Sequence, residues 1–346
     1  MMTEKELVLV TGGTGFIAVH TILQLLTRGY RVRATLRNME RQDEVRAMLT
    51  HGGLQNLDNL TFIQADLTKD DNWHEAMLGV TYVMHIASST PSSTDQSEEG
   101  MIRPAVEGTL RVLKAAKKAG VKRVVMTSAF GAVGMGDENN GQPYTEENWS
   151  QLDTGVLINP YQKSKTLSER AAWEYVTNEG AGLEFAAINP VGVMGPILGQ
   201  DYSHSNQSIR QMLTGEMKAV PKITSGYIDV RDVASLHILA MERAEANGKR
   251  FLATTGETLS MLDVAKILKK HLGAQAKRVP TTEIPNWTLK LAAKKDDSLK
   301  MLATLLDKNM KTSNEKAVTM LGWQPRSAEE SILATATSLI ELGLLD

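Results

Sequence analysis

Residues 11–18 read TGGTGFIA, with an apolar run from Leu7 to Thr11 ahead of them and a helical pattern from Phe16 to Arg28 behind. A strand entering a glycine-rich turn that opens a helix is the context of a dinucleotide-binding loop. In the spacing Gly12-x-x-Gly15-x-x-Ala18, Gly12 permits the tight turn and Gly15 lets the backbone approach a pyrophosphate. Ala18 is small enough for helix against sheet. Phosphates would sit on the helix N-terminus, where free N–H groups and the helix dipole favour anions. Gly12, Thr14, Gly15, Phe16 and Ile17 are therefore the first candidate cofactor residues. A plain glycine-rich turn is the alternative reading of the same string.

The rest of the first half repeats the strand–helix alternation. Arg31 to Leu36, Thr61 to Ala65, Thr81 to Ile86, Arg123 to Thr127 and Leu183 to Asn189 read as further strands, with helices such as Ala105 to Ala119 between them. Alternation of this kind predicts an α/β chain: a Rossmann-type, doubly wound parallel sheet with right-handed crossovers. After Pro190 the pattern loosens, and the C-terminal third is mostly helical. We expect a cofactor-binding domain over 1–191, with a return of the chain near 226–258, and a smaller, mostly helical substrate lobe over 192–346.

The end of the second strand selects the dinucleotide. NAD-binding chains place a carboxylate there for the ribose 2′-hydroxyl, but this chain reads RATLRN. Arg37 and, one helical turn later, Arg41 carry guanidinium groups that match a 2′-phosphate in charge and shape. The expected cofactor is NADPH/NADP+; a solvated loop charge is the other reading of Arg37. Asp66 and Leu67 end the third strand in ADL, where a carboxylate can reach the adenine amino group or simply form a turn. Ala87 and Ser88, in HIAS at 85–88, lie at the carboxyl edge of the fourth strand, where ligands bind.

Tyr161 and Lys165 form Y-x-x-x-K on a helix expected to start near Pro160. Spacing of i,i+4 puts both side chains on one helical face. A free tyrosine, with a pKa of ~10, exchanges protons poorly near neutrality. A nearby ammonium favours the phenolate and lowers that value. Tyr161 could then act as general acid to a carbonyl oxygen while Lys165 holds the nicotinamide ribose.

TGGTGFIA, ADL, YQKSK and NPVGVMGP together resemble the extended short-chain dehydrogenases/reductases. Longer strings, among them PAVEGTLRVLKAAKKAGVKRVVMTS, GYIDVRDVA and LGWQPRSAEE, are similar to the branch that holds dihydroflavonol reductases, cinnamoyl-CoA reductases and fungal aldehyde (methylglyoxal) reductases. The resemblance implies NADPH-dependent reduction of a small-molecule aldehyde or ketone. It implies that Thr127 and Ser128 lie on the cofactor side and that backbone near Pro190 and Val193 holds the nicotinamide amide. One departure matters. The family strand ends T-S-S, and its second serine polarises the carbonyl; here that position is Ala129. Phe130, next in the chain, is a candidate wall of the substrate pocket beside Tyr161.

Other chemistries find little support. Net charge is −2, so no bulk positive charge favours nucleic acid or a membrane surface. No apolar run reaches the ~18 residues of a membrane span, and residues 1–6 lack a signal-peptide pattern. Cysteine is absent, which suits a cytoplasmic setting. The seven histidines are scattered, so no metal is expected, and His20 and His85 read as packed structural residues. The expected assembly is a monomer or homodimer. Two alternatives share the loop. One is a sugar-nucleotide epimerase or dehydratase that retains NAD and grips a diphosphate; the other is a non-catalytic NADPH-binding redox sensor.

Overall fold

Leu7–Val10 are buried at every position, as expected for a strand covered on both faces. This strand, β1, begins a regular alternation: α1 (Phe16–Thr27), β2 (Arg31–Leu36), α2 (Gln42–His51), β3 (Leu60–Gln64), α3 (Trp73–Met77), β4 (Tyr82–His85), α4 (Glu98–Lys118), β5 (Arg123–Thr127), α5 (Pro160–Asn178) and β6 (Glu184–Pro190). The computed structural model describes residues 5–88, 97–136, 139–200, 203–308 and 310–345. The chain continues through β7 (Gly192–Met194), α6 (His204–Thr214), β8 (Val220–Pro221), β9 (Thr224–Asp229), α7 (Val230–Glu242) and β10 (Lys249–Ala253). It closes with β11 (Thr258–Ser260), α8 (Met261–Leu272), β12 (Glu283–Ile284), α9 (Asn286–Ala292), α10 (Asp297–Ala303), α11 (Glu315–Leu321) and α12 (Ala328–Glu341).

The main sheet has seven strands in the order β10-β6-β5-β4-β1-β2-β3, all parallel. This is the doubly wound, Rossmann-type sheet expected from the alternation. Strand order reverses between β1 and β4, and the crevice at their carboxyl ends is where such sheets bind ligands. Each face of the sheet has its own apolar layer. Val8, Ile22, Leu49, Ile188 and Leu236 belong to one; Leu9, Val83, Leu113, Val124 and Ala172 belong to the other. Alternation along each strand sends neighbours to opposite layers.

The looser stretch after Pro190 contains more strand than its composition suggested. β7 and β9 pair in parallel, β11 joins β9 antiparallel, and β12 pairs with β8. α6, α8 and α12 cover this smaller assembly around Met194, Ile209, Tyr227, Leu268 and Ile332. Short strands of two or three residues carry too few side chains to show a period of two. β10 returns to the main sheet beside β6, with Arg250 opposite Ala187. Among the described residues, no helix is long and apolar enough to cross a membrane.

Candidate active site

The glycine loop is pinned to the end of β2. The Gly12 amide donates to Thr35 Oγ1 (3.0 Å) and the Gly13 amide to the Thr35 carbonyl (2.9 Å). Gly12 has φ +70°, and a Cβ there would lie 2.9 Å from the Ala87 Cβ. Only glycine suits both the left-handed backbone and the close approach of the β4 end. α1 then follows Gly15, its N-cap residue, with no side-chain cap and no acidic residue in its first turn. Its first N–H groups are thus left for a ligand. This geometry fits the pyrophosphate of a dinucleotide. Thr14 and Gly15 are half-buried at the turn. Phe16 and Ile17 pack their apolar sides onto the core beneath.

Arg37 is exposed just past β2. Its charge reaches Asp66 at the end of β3. Partial burial pushes the Asp66 carboxyl up, but two hydrogen bonds from Thr68 and the Arg37 charge outweigh it and hold the pKa below the usual value. Asp66 Oδ1 serves the local turn, and the Leu67 carbonyl accepts from Arg111. Arg41 pairs with Glu44 at 2.7 Å and reaches Thr14 Oγ1 at 3.4 Å. It thus borders the loop while its charge is partly answered.

Tyr161 and Lys165 stand one turn apart on α5. The Asn159 side chain accepts from the Tyr161 amide (2.8 Å) and Pro160 occupies the first turn, which sets the start of the helix. Tyr161 leaves 48% of its surface open to the cleft. Lys165 is buried, and its Nζ donates to the Thr127 carbonyl at 3.2 Å. Burial pulls the Lys165 pKa down to about 8, opposed by the charge of Glu169. Burial alone moves the Tyr161 phenol, upward, and its open side lets solvent weaken that push. The lysine Nζ lies 5.9 Å from the centre of the tyrosine ring and spends a proton on the strand carbonyl instead.

His85 faces the same lysine. The Ile86 and Ala87 amides both donate to Thr11 Oγ1, so the Thr11 proton goes to His85 Nδ1 at 3.1 Å and Nε2 carries the ring hydrogen. Burial, with the Lys165 charge, holds the His85 pKa down to about 3. It is a neutral, packed histidine, as its place in the sequence suggested. Ala87 and Ser88 follow it, half-buried, at the carboxyl edge.

The side chains around the end of β5 turn away from the cleft. Thr127 Oγ1 donates to His237 Nε2 (2.6 Å), because His237 Nδ1 is occupied as donor to the Val233 carbonyl. Ser128 Oγ donates to Glu169 Oε2 (2.6 Å). Phe130, expected as a pocket wall, is 9% exposed and packs edge-to-face on Tyr144 at 5.4 Å, so its ring belongs mainly to the core. Pro190 ends β6 and Val193 sits in β7, both buried; the Val193 carbonyl accepts from Ser203.

Sequence reading missed the group behind this centre: Glu169, Asn189 and Arg250, all buried. The stripe Tyr161, Lys165, Glu169 at successive i,i+4 steps was the available signal for the first. Nothing local marked Arg250. The groove between α3 and α4, lined by Asp70, Trp73, Arg111 and Lys114 among others, holds none of these groups.

A parallel doubly wound sheet, an uncapped helix behind a glycine turn and a Tyr–Lys pair at its carboxyl edge define a dinucleotide-binding chain of the short-chain dehydrogenase type. The chain belongs to the NAD dependent epimerase/dehydratase family, whose model matches residues 8–253. Cinnamoyl-CoA reductase 2 of Arabidopsis thaliana is 39% identical over 78% of this chain and 79% of its own length. Dihydroflavonol 4-reductase of the same plant is 33% identical over 78% and 70%. The crystal structure of yeast methylglyoxal/isovaleraldehyde reductase Gre2 complexed with NADPH superposes with a TM-score of 0.81. It is 26% identical and covers 98% of this chain and all of that one.

Proposed function

We propose that this protein is an NADPH-dependent carbonyl reductase that converts a small aldehyde or ketone to the alcohol. One observation carries the reading: a buried ammonium, Lys165, and a half-open phenol, Tyr161, share a helical face at the carboxyl edge of a dinucleotide sheet. Reductases among the relatives, and the NADPH named for the yeast structure, support the same direction.

When bound, NADPH supplies the hydride. The chain does the rest. Gly12, Gly15 and the first turn of α1 would hold the pyrophosphate, and Arg37 would answer the 2′-phosphate. Ala87 and Ser88 would flank the cofactor at the carboxyl edge, and backbone at Pro190 and Val193 would hold the nicotinamide amide. Lys165, fixed by the Thr127 carbonyl, would hold the nicotinamide ribose and stabilise developing phenolate. Tyr161 donates its proton to the carbonyl oxygen as the carbon is reduced, giving the alcohol, and regains one from solvent.

The test is loss of NADPH absorbance with a panel of aldehydes, diketones and flavonoids. A fall in turnover of ~10²–10⁴ in Tyr161→Phe supports the reading. Tightly retained NAD with no carbonyl-dependent oxidation of NADPH would point to the epimerase chemistry instead.

A further inference from the structure

Glu169 is completely buried, one turn beyond Lys165 on α5. Its Oε2 accepts from Ser128 Oγ (2.6 Å), Asn189 Nδ2 (2.7 Å) and Arg250 Nη2 (3.2 Å). Its Oε1 accepts from Arg250 Nε (2.6 Å) and Trp173 Nε1 (3.1 Å). Asn189 Nδ2 also reaches the Ala129 carbonyl at 3.3 Å. Arg250 is itself anchored, to the Glu146 and Asn148 carbonyls at 2.9 and 2.8 Å and over the Trp149 ring at 3.7 Å. One carboxylate thus joins the ends of β5 and β6, the strand β10 and the helix that carries both reaction-centre residues. A buried ion pair seldom gains stability over well-packed apolar residues, so its place directly behind Lys165 calls for another reason.

We propose that Glu169 is a positioning residue of the reaction centre: it clamps the strand ends that hold Lys165 and supplies the carboxylate charge behind that lysine. Among the described residues, the groups recorded against Lys165 are these. Tyr161 and Glu169 share its helix, His85 faces it from β4, and the Thr127 carbonyl faces it from β5. Tyr161 and His85 are neutral near pH 7, so Glu169 is the carboxylate in that set. Arg250 pairs with Glu169 itself, and the Glu146 carboxylate accepts from the Leu252 amide of β10. Burial alone favours a neutral Lys165, and a neutral amine neither stabilises phenolate nor holds ribose hydroxyls as strongly. The inference rests on the reductase reading for its effect on turnover, but the charge coupling stands apart from it.

The experiment is an NMR titration of the full chain labelled with [ε-13C]lysine, the Lys165 signal being assigned by its loss in Lys165→Met. The wild-type midpoint is expected at about 8. Glu169→Gln should lower it by about one pH unit or more, Glu169→Asp should keep it near the wild-type value, and Arg250→Gln should raise it. Reductase kcat/KM at pH 9 should fall roughly tenfold further in Glu169→Gln than in Glu169→Asp. A folded Glu169→Gln chain with an unmoved midpoint overturns the proposal. If that variant does not fold, Arg250→Gln decides: a raised midpoint supports it and an unmoved one overturns it. Midpoints that shift as stated in a chain without NADPH-dependent turnover would sink the reductase reading and leave the positioning role standing.

Discussion

The Ser128 hydroxyl donates to Glu169 Oε2 across 2.6 Å, with both side chains buried, while Ala129 continues in extended backbone at φ −161° and ψ 160°. Alternation along extended chain sends the Ala129 Cβ to the face opposite Glu169. Among the described residues no hydrogen bond joins Ser128 to Tyr161. The Ser128 hydroxyl is therefore spent on Glu169, and the Ala129 position is left without a hydroxyl.

Ala129→Ser should raise kcat on small aldehydes. Removing one donor to a developing oxyanion typically costs ~10²–10³ in rate, and a restored hydroxyl should recover part of that. Ser128→Ala should act elsewhere, lowering unfolding stability by about 1–3 kcal/mol through the partly unsatisfied Glu169. Steady-state kinetics and urea unfolding of both variants check this. A severe kcat defect in a stable Ser128→Ala chain, with no gain from Ala129→Ser, would reverse the assignment.

Arg37→Ala should raise the NADPH KM roughly tenfold to a hundredfold, the loss of one charge-assisted hydrogen bond of ~1.5–3 kcal/mol. NADH, which lacks the 2′-phosphate, should be nearly unaffected. Initial rates with both cofactors settle the matter, and equal changes would remove Arg37 from the site.

Tyr161→Phe keeps the ring and removes the proton donor. Turnover should fall by ~10²–10⁴, while NADPH still binds when titrated by fluorescence. Lys165→Ala should weaken both turnover and cofactor affinity. Near-normal turnover in Tyr161→Phe would exclude the proposed proton transfer.

Acid should destabilise the chain through its buried histidines. Burial lowers His20 and His237 from 6.5 to about 4 and His85 to about 3. Between the unfolded value and these folded values the unfolded chain binds more protons, so stability falls as pH drops through that window and the histidine contribution levels off below it. Urea midpoints measured from pH 7 to pH 4 should decline, and the decline should be shallower in His237→Gln. An unchanged slope in that variant would show that His237 is not held neutral by the fold.

The sequence by itself determined the parts of this protein that depend on neighbours along the chain. The TGGTGFIA turn, the alternation that makes a parallel sheet, and the i,i+4 pair Tyr161 and Lys165 are local patterns, and local geometry expresses them. Tertiary structure decided everything that depends on which strand lies beside which. The order β10-β6-β5 brings Arg250 to Glu169 across 81 residues of sequence, and a buried carboxylate needs such a partner wherever the chain can supply one. That pairing engages the Ser128 hydroxyl, and Thr127 turns to His237, 110 residues on. The Tyr144 ring that packs on Phe130 likewise lies 14 residues further along the chain and was not legible locally. The short strands β7, β8 and β11 were not legible because two or three residues show no period, and only pairing with distant partners defines them.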